Sequence, residues 1–336
     1  MKTVLVAMSG GVDSSVTALL LKEEGFCPIG VHFRLHSGYI ENEKRVKSVA
    51  ERIGIQFCVL DYRKEFKKEI IDSFIKDNKE GFTPNPCVLC NKIVKFNLLF
   101  KNLDKFNADY LATGHYVKIK EGKIFEAEDK EKDQSYFLWK SSQNILKKTL
   151  FPLGEYKKSE VREIARKSAL PVYNQPESQE ICFISSNIEE FLKENLGVDK
   201  GNVVDKEGNV LGEHQGLWLY TIGQRRRIGL SGGPYYVIEK NIKDNSVIVS
   251  RNEEDLFSRE LVFKNENWIS GKEPKFPLKV GAKIRYRHKS SDALLEKNKI
   301  IFREPQRAIT PGQSVVFYRG EEMLGGAVIV KKPLAP

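Results

Sequence analysis

Three cysteines have the spacing and surroundings to carry out sulfur chemistry. Cys87 and Cys90 are separated by two residues in the segment TPNPCVLCNKIVKF, and Cys182 lies in the segment QEICFI. Because a thiolate is both a nucleophile and a metal ligand, the pair alone fits a redox couple, half of a zinc site, or a nucleophile with a helper. A structural zinc ion needs four nitrogen or sulfur ligands, and no second C-x-x-C or H-x-x-x-H occurs.

The other two cysteines, Cys27 and Cys58, lie in apolar, strand-like segments (GFCPIGVHF and IQFCVL) that are typical of inert core thiols. From sequence alone, the apolar neighbours of Cys182 also favour a buried thiol within a strand. An odd number of cysteines, five in 336 residues, argues against a disulfide framework. It indicates a reducing, cytoplasmic setting.

The segment SGGVDSS, residues 9–15, is the second candidate site. Two glycines let the backbone approach a ligand closely, and serine hydroxyls with helix N-terminal amides offer donors to an anion. A glycine-rich turn with a Ser or Asp helix cap gives a similar string, but the strand before it and the amphipathic run Val16 to Glu24 after it favour an anion site. Neither the dinucleotide-binding pattern nor the P-loop pattern occurs. Asp13 and Ser14 are expected in an exposed loop.

These segments belong to a regular alternation of strands and helices. Strands are predicted over TVLVAM, PIGVHFR, IQFCVLDY and ADYLATGHY, and helices over 41–53, 64–76 and 91–100. This order predicts an α/β fold with a doubly wound parallel sheet, in which ligands bind at the carboxyl ends of the strands. The glycine loop, the cysteine segment and Gly114-His115 should therefore converge.

The sequence pattern changes near Gly197. Residues 1–196 are predicted to form the α/β catalytic domain, which includes helices over 158–168 and 188–196. Short alternating strands with Gly, Asn and Asp turns then predict a small β-rich domain over 197–256 and a C-terminal β-barrel-like domain over 257–336. No internal repeat or low-complexity segment is present.

Composition narrows the class of protein further. A hydrophobic content of 40% supports a sizeable core, and no apolar run approaches the roughly 18 residues of a membrane span. The start, MKTVLVAMSGG, is typical of a first strand rather than a signal peptide. We therefore expect a cytoplasmic protein without a membrane partner. The net charge of +10 and the arginine clusters at 225–227 and 285–287 indicate a polyanionic partner.

The string SGGVDSS after the first strand resembles the pyrophosphate loop (PP-loop) of the N-type ATP pyrophosphatases, which activate a carbonyl or carboxylate by adenylation. The resemblance implies ATP and Mg²⁺ as cofactors, with Asp13 holding magnesium or capping the loop. It assigns four residues to the ATP phosphates, Gly10, Gly11, Ser14 and Ser15, and two to the adenosine pocket, Phe33 and Gly114. Ser9 and Asp13 complete the eight residues of the nucleotide site.

Seven motifs resemble a narrower family within that group. TPNPCVLCNKIVKF, ATGHYVKI, KDQSYFLW, FPLGEYKKSEVREIA, ESQEICFI, YTIGQRRRIGL and GQSVVFY occur in one order across residues 1–330 and are similar to those of the bacterial tRNA-specific 2-thiouridylases. The resemblance implies adenylation of the 2-oxygen of the wobble uridine with release of pyrophosphate, and then sulfur transfer with release of AMP. It also implies a sulfur donor, which is a cysteine desulfurase, a sulfur-relay protein or sulfide.

The same resemblance assigns roles to single residues. Cys182 accepts the persulfide, and Cys90 is the catalytic partner that frees the sulfur, after which the two can form a disulfide. Ten residues would contact tRNA: Asn85, Pro86, Cys87, His115, Lys132, Asp133, Gln134, Arg285, Tyr286 and Gln313. Arginine pairs with phosphate, tyrosine stacks on a splayed base, and the wobble base must leave the anticodon stack to reach the site.

One position departs from the family pattern. Familiar members have aspartate where this chain has Cys87. Together with Cys90 and Cys182, this third thiol would complete the three ligands that a [4Fe-4S] cluster needs in order to keep one iron open for sulfide. The sequence therefore leaves two routes for the sulfur, a cysteine persulfide and an iron–sulfur cluster.

Two other functions share part of this evidence. A PP-loop synthetase or ligase of the GMP or argininosuccinate type would keep the ATP chemistry with a small-molecule acceptor. The contexts of Cys90 and Cys182 and the β-rich C-terminal half argue against it. A non-enzymatic RNA-binding protein with a decayed nucleotide fold is the third alternative, and the intact SGGVDSS argues against that one.

Overall fold

The computed structural model describes residues 1–36, 39–176, 181–184 and 187–331. Its first domain is built on a five-stranded parallel sheet with the order β3-β2-β1-β4-β7. The strands are β1 (Thr3–Ala7), β2 (Cys27–Arg34), β3 (Gln56–Asp61), β4 (Tyr110–Thr113) and β7 (Thr149–Leu150). The parallel α/β sheet predicted from the sequence is confirmed. The strand order reverses between β1 and β4, which is where such sheets bind their ligands.

Helices pack on both faces of this sheet. Alternate residues of β1 point to opposite faces, so this one strand contributes to two apolar clusters. Leu5 packs in one apolar cluster with Trp139, whereas Val4 and Val6 pack in another with Val16. The helices are α1 (Val12–Glu23), α2 (Tyr39–Ile53), α3 (Arg63–Phe66), α4 (Asp72–Lys79), α5 (Pro86–Cys90), α6 (Leu99–Lys101), α7 (Gln143–Leu146), α8 (Lys158–Lys167) and α9 (Ile188–Leu196). No helix among the described residues is long and apolar enough to span a membrane.

Two of these helices are continued by wider, π-type turns. Lys67–Ile71 joins α3 to α4, and Asn91–Leu98 joins α5 to α6. The helices predicted over 64–76 and 91–100 are therefore present, but with i→i+5 pairing in their middle parts. Such turns are rare and concentrate at functional sites.

The middle of the chain forms a four-stranded sheet in the order β10-β11-β8-β9. Its strands are β8 (Gly201–Val204), β9 (Val210–His214), β10 (Tyr236–Asn241) and β11 (Ser246–Ser250). An apolar cluster that includes Val203, Val237 and Val247 fills one side. This sheet is the small β-rich domain that the sequence predicts.

The last part of the chain closes into a six-stranded barrel, because β12 pairs with both β15 and β17. Its strands are β12 (Phe257–Trp268), β13 (Leu278–Lys283), β14 (Ser291–Leu295), β15 (Lys299–Arg307), β16 (Ser314–Arg319) and β17 (Glu322–Lys331). A hairpin of the first domain, β5 (Lys118–Lys120) and β6 (Lys123–Phe125), extends this sheet through pairing of Met323 with Ile124. The predicted division at 256/257 did not anticipate this shared sheet.

Candidate functional site

The loop between β1 and α1 is shaped by its glycines. Gly10 has φ +84°, and a Cβ there would stand 3.0 Å from the backbone oxygen of Asn42. Gly11 is the N-cap residue of α1 and, as a glycine, has no side chain to cap the first amides of that helix. The N-terminus of a twelve-residue helix is thus left uncapped at the sheet edge, which is a suitable place for a phosphate group.

The serines of this loop face inward. The Ser14 hydroxyl accepts a hydrogen bond from the Ser9 amide at 3.2 Å and donates to the Gly11 carbonyl at 3.2 Å, and the Ser15 hydroxyl donates to the same carbonyl at 2.9 Å. Both Ser14 and Ser15 are buried. The expectation of an exposed loop at Asp13 and Ser14 is wrong, because α1 begins at Val12 and includes both residues.

Asp13 is held by two residues that sequence reasoning did not single out. The Lys158 ammonium donates to both carboxylate oxygens, at 2.6 and 2.8 Å, and the Tyr116 hydroxyl donates to one of them at 2.7 Å. Lys158 is buried at the start of α8. A lysine in the first turn of a helix is unfavourable, because its charge is repelled by the positive end of the helix dipole. This position was the sequence signal that the Lys158 ammonium has an ionic partner outside its own helix. Asp13 does not cap α1.

Gly114 and Phe33 lie at the same sheet edge. A Cβ at Gly114 would be 2.8 Å from the Ser14 amide nitrogen and 2.9 Å from the Asp13 carbonyl carbon. Only glycine therefore lets the end of β4 approach α1 this closely. Phe33 is half-buried at the end of β2, and its ring meets that of Tyr62 edge-to-face at 5.6 Å. The parallel order β2-β1-β4 brings all eight predicted nucleotide residues to one edge.

The thiol helix α5 places two cysteines on one face. Asn85 is its N-cap, with its side-chain oxygen accepting from the Cys87 amide at 3.1 Å, and Pro86 is buried at the first helical position. Cys87 and Cys90 are one helical turn apart, so their side chains share a face. Cys87 is exposed, whereas Cys90 is 8% exposed.

Cys182 does not lie in a buried strand, so that expectation is wrong. Residues 182–183 form a turn and the Cys182 side chain is exposed. The apolar neighbour Phe183 is half-buried instead, and its ring packs against Phe66 at 5.8 Å and Phe74 at 5.6 Å. Residues 177–180 of the motif ESQEICFI lie outside the described residues. The expectation of a core thiol at Cys27 is also wrong, since Cys27 is exposed at the start of β2.

The three thiols share one electrostatic environment. Burial above all, with smaller contributions from nearby Cys182 and Cys87, raises the pKa of Cys90 to about 12. Desolvation also raises the pKa of Cys87 and of Cys182, and Cys87 adds to the shift at Cys182. The positive charge of Lys95 opposes the shift at all three. The site thus brings together a buried thiol and two more accessible ones beside one cation.

Helix geometry explains the position of Lys95. Lys95 follows Cys90 by five residues and lies in the π-type segment. Five residues make about one turn of a π-type helix but about 1.4 turns of an α-helix. Lys95 is half-buried and has no ion-pair partner within the described ranges. Its charge is therefore available to an anion at the thiols.

The three thiols do not form a metal-ligand set as they stand. Across the described residues, which include Cys87, Cys90 and Cys182, no group of three His, Cys, Asp or Glu side chains is arranged to hold a metal ion. All five cysteines are free. The iron–sulfur cluster therefore stays a prediction.

Besides Pro86, two other residues predicted to contact tRNA are buried, His115 and Asp133. His115 bonds to the Thr113 hydroxyl at 2.8 Å and stacks on Phe96, and desolvation holds its pKa well below the ordinary range. Asp133 accepts hydrogen bonds from the Ala127 amide at 3.1 Å and from the Ser135 hydroxyl at 2.8 Å. In this structure both side chains support the fold around the site.

The remaining residues of that set join elements of the fold. Arg285 donates to the Ala308 carbonyl, and the Tyr286 ring packs on Phe137 at 4.4 Å. The Gln134 side chain accepts from the Tyr116 amide at 3.1 Å, the Gln313 side chain donates to the Thr83 carbonyl at 2.8 Å, and Lys132 is half-buried. Their contacts with tRNA stay predictions.

Comparison with known proteins covers the whole chain. Three family models match in succession, a tRNA methyl transferase HUP domain at residues 2–186, a tRNA methyl transferase PRC-barrel domain at 189–251 and an aminomethyltransferase beta-barrel domain at 258–329. The tRNA-specific 2-thiouridylase MnmA 2 of Clostridium botulinum (strain Langeland) is 45% identical over 97% of this chain and 98% of that protein. The tRNA-specific 2-thiouridylase MnmA of Carboxydothermus hydrogenoformans is 44% identical over 98% of each chain.

Among solved structures, the U34-tRNA thiolase NcsA from Methanococcus maripaludis with its [4Fe-4S] cluster overlaps 58% of this chain and 67% of that one. The identity is 23% and the TM-score is 0.37. This similarity is too low to support a statement about a cluster in this chain.

Proposed function

Because the chain belongs to the tRNA-specific 2-thiouridylase family, we propose that it replaces the 2-oxygen of the wobble uridine of tRNA with sulfur, at the expense of ATP. The observation that carries the proposal is the pairing of two sites on one domain. An uncapped helix N-terminus with the Asp13–Lys158 pair lies at the switch point of the sheet, and three thiols lie around α5.

In the first step, the uridine 2-oxygen attacks the α-phosphorus of ATP, and the bond to pyrophosphate breaks. The uridine then carries AMP on that oxygen, which converts a poor leaving group into a good one. The glycine loop and the α1 amides would hold the phosphates, and the Lys158 ammonium would offset their charge. Mg²⁺ enters with ATP as its counter-ion. Both oxygens of Asp13 are engaged by Lys158 and Tyr116, so in this arrangement Asp13 does not offer the ion a ligand.

In the second step, a persulfide donor passes its outer sulfur to the Cys182 thiolate and leaves as a thiolate. The outer sulfur of this persulfide attacks carbon 2 of the uridine, and AMP departs with the oxygen. Cys90 then attacks the Cys182 sulfur while its thiol proton passes to the departing thiouridine, which releases the 2-thiouridine and leaves a Cys90–Cys182 disulfide. A dithiol reductant must return both cysteines to thiols for the next turnover. The exposure of Cys182 to a donor supports its role as acceptor.

The charge of the site supports this order of events. Cys90 is buried and its pKa is raised to about 12, whereas Cys182 is exposed, so an incoming persulfide donor meets Cys182 first. The Lys95 ammonium favours any anion that forms among the three sulfurs. A cytoplasmic location and the ten proposed tRNA contacts complete the proposal.

A gel containing an immobilised mercury reagent tests the proposal, because it retards thiolated RNA. Purified protein is incubated with a tRNA transcript, ATP, a persulfide donor and a dithiol, and pyrophosphate is measured in parallel. We expect retardation and tRNA-dependent pyrophosphate release, and neither with a transcript that carries cytidine at the wobble position.

Other outcomes identify the alternatives. Pyrophosphate release with a small acceptor but not with tRNA would indicate a PP-loop synthetase or ligase. Methylation of tRNA by S-adenosylmethionine without retardation would instead agree with the methyl-transfer descriptions of the family models. Binding of tRNA without either product would indicate an RNA-binding protein.

A further inference from the structure

The short segment before the thiol helix, residues 82–83, is bound by the C-terminal barrel. The Thr83 amide donates to the Pro311 carbonyl at 2.9 Å, and the Gln313 side-chain amide donates to the Thr83 carbonyl at 2.8 Å. Both backbone polar groups of Thr83 are thus satisfied by one turn of the barrel, residues 310–313, which precedes β16. We call this turn the barrel turn.

The fit between the two segments is close. Gly312 has φ +92°, and a Cβ there would stand 2.8 Å from the Thr83 amide nitrogen and 2.9 Å from Cβ of Phe82. The Lys264 ammonium, on β12, lies 5.9 Å from the centre of the Phe82 ring. The barrel therefore holds two consecutive residues by hydrogen bonds, shape and a cation–π contact.

The path from Thr83 to the cysteines has little freedom. Pro84 and Pro86 fix their own φ angles and restrict the residues before them, and Asn85 between them caps α5. A displacement of Thr83 is consequently passed on to Cys87 and to the helix that carries Cys90, rather than absorbed by a flexible loop.

We propose that the barrel turn is a latch that holds the thiol helix in its working position, with Gln313 as a positioning residue. Its relevance to sulfur transfer rests on the proposed function, but the mechanical coupling does not. When the latch is intact, Cys90 stays buried against Phe66 and Val94; when it is released, the helix start moves and Cys90 becomes accessible. The barrel thereby sets the exposure of a thiol in another domain.

The test measures thiol accessibility in the full chain without tRNA. Gln313→Glu keeps the shape but removes the donor and sets a carboxylate against the Thr83 carbonyl. Each cysteine is labelled with iodoacetamide and quantified by peptide mass spectrometry, with exposed Cys27 as the internal standard. We expect Cys90 to be labelled about fivefold faster, the factor that one net hydrogen bond contributes to a local opening equilibrium.

A matched control and a second variant sharpen the result. Gln306→Glu changes the same residue type on the barrel. Among the described residues the Gln306 side chain bonds to Glu304 and Ser291, away from Thr83, and we expect unchanged labelling. Gly312→Ala keeps the Gln313 side chain for any RNA contact but collides with Thr83, and we expect faster labelling of Cys90. Circular dichroism confirms that each variant is folded.

Two results would overturn the latch. If folded Gln313→Glu labels Cys90 at the wild-type rate, the Thr83 contact does not restrain the thiol helix. If Gln313→Glu only raises the KM for tRNA and leaves labelling unchanged, Gln313 is a tRNA contact alone. Labelling needs neither ATP nor tRNA, so a failure of the proposed function would be seen separately, as absent thiolation with the labelling pattern intact.

Discussion

Lys158 Nζ lies 2.6 Å from one carboxylate oxygen of Asp13 and 2.8 Å from the other, and so joins the start of α8 to the first turn of α1. The ammonium is buried while the carboxylate is about one-third exposed. The pair stands at the uncapped N-terminus of α1, where an entering phosphate would compete with Asp13 for the same cation. Lys158 is thus both a structural partner and a candidate phosphate ligand.

Replacing Lys158 by methionine separates these roles. We expect tRNA-dependent pyrophosphate release to fall about 100-fold, because a hydrogen bond from a charged donor contributes about 1.5–3 kcal/mol. In the double variant with Asp13→Asn, activity should stay low even though the unpaired carboxylate is gone. Recovery of activity in the double variant would show that Lys158 serves only to neutralise Asp13. Lys157→Met, at the exposed neighbouring lysine, is the control and should remain active.

Ser14→Ala should lower both activity and stability. The Ser14 hydroxyl, buried in the first turn of α1, bonds to Ser9 and Gly11, so its loss should cost about 1–2 kcal/mol of unfolding free energy. Urea unfolding of the variant and the wild type measures this difference, and the pyrophosphate assay measures the activity. An equally stable variant would mean that the loop does not depend on this hydroxyl.

The thiols should differ in their response to pH. Since the thiolate reacts and burial raises the pKa of Cys90 to about 12, its labelling rate should rise about tenfold per pH unit from pH 7 to 10 without a plateau. Exposed Cys87 and Cys182 should be labelled first at every pH. Lys95→Met should slow the labelling of all three, because the opposing positive charge is lost, while Lys95→Arg should preserve it. A plateau for Cys90 below pH 9 would contradict its buried, protonated state.

Cysteine variants distinguish the two sulfur routes. Under the persulfide route we expect Cys90→Ser and Cys182→Ser to abolish thiolation and Cys87→Asp to retain most of it, with little iron in protein purified without oxygen. Iron and sulfide analysis together with the mercury gel gives the answer. Stoichiometric iron that disappears together with activity in Cys87→Ala would establish the cluster instead.

The arginine clusters should behave differently from one another. Arg225 and Arg226 are exposed, so replacing them by glutamine should reduce the log–log salt slope of tRNA binding by at most about one unit per lost phosphate contact. Arg285 is half-buried and donates to the Ala308 carbonyl, so its replacement should also lower the melting temperature. An unchanged slope for the Arg225 and Arg226 variants would exclude them from the tRNA interface.

Local sequence patterns predicted the parallel sheet and most helices, because the periodicity of a strand or a helix depends on residues that are close in sequence. They failed where the partner is distant in sequence. The apolar neighbours Ile181 and Phe183 predicted a buried Cys182, yet Cys182 is exposed and it is Phe183 that packs, half-buried, on the helix that carries Phe66. The partner of Asp13 is Lys158, and no spacing rule connects the two. Helix α1 begins earlier than predicted because Gly11 serves as its N-cap.

The hairpin of β5 and β6 has a consequence for synthesis of the chain. Its partner strand β17 is translated nearly 200 residues later, since Ile124 pairs with Met323. At about 5–20 residues per second, the nascent hairpin waits roughly 10–40 s with one edge unpaired. The unpaired backbone groups of an open strand edge can form hydrogen bonds with the strands of other chains. The ribosome-bound protein therefore passes through a period of aggregation risk that ends only when the last strand emerges.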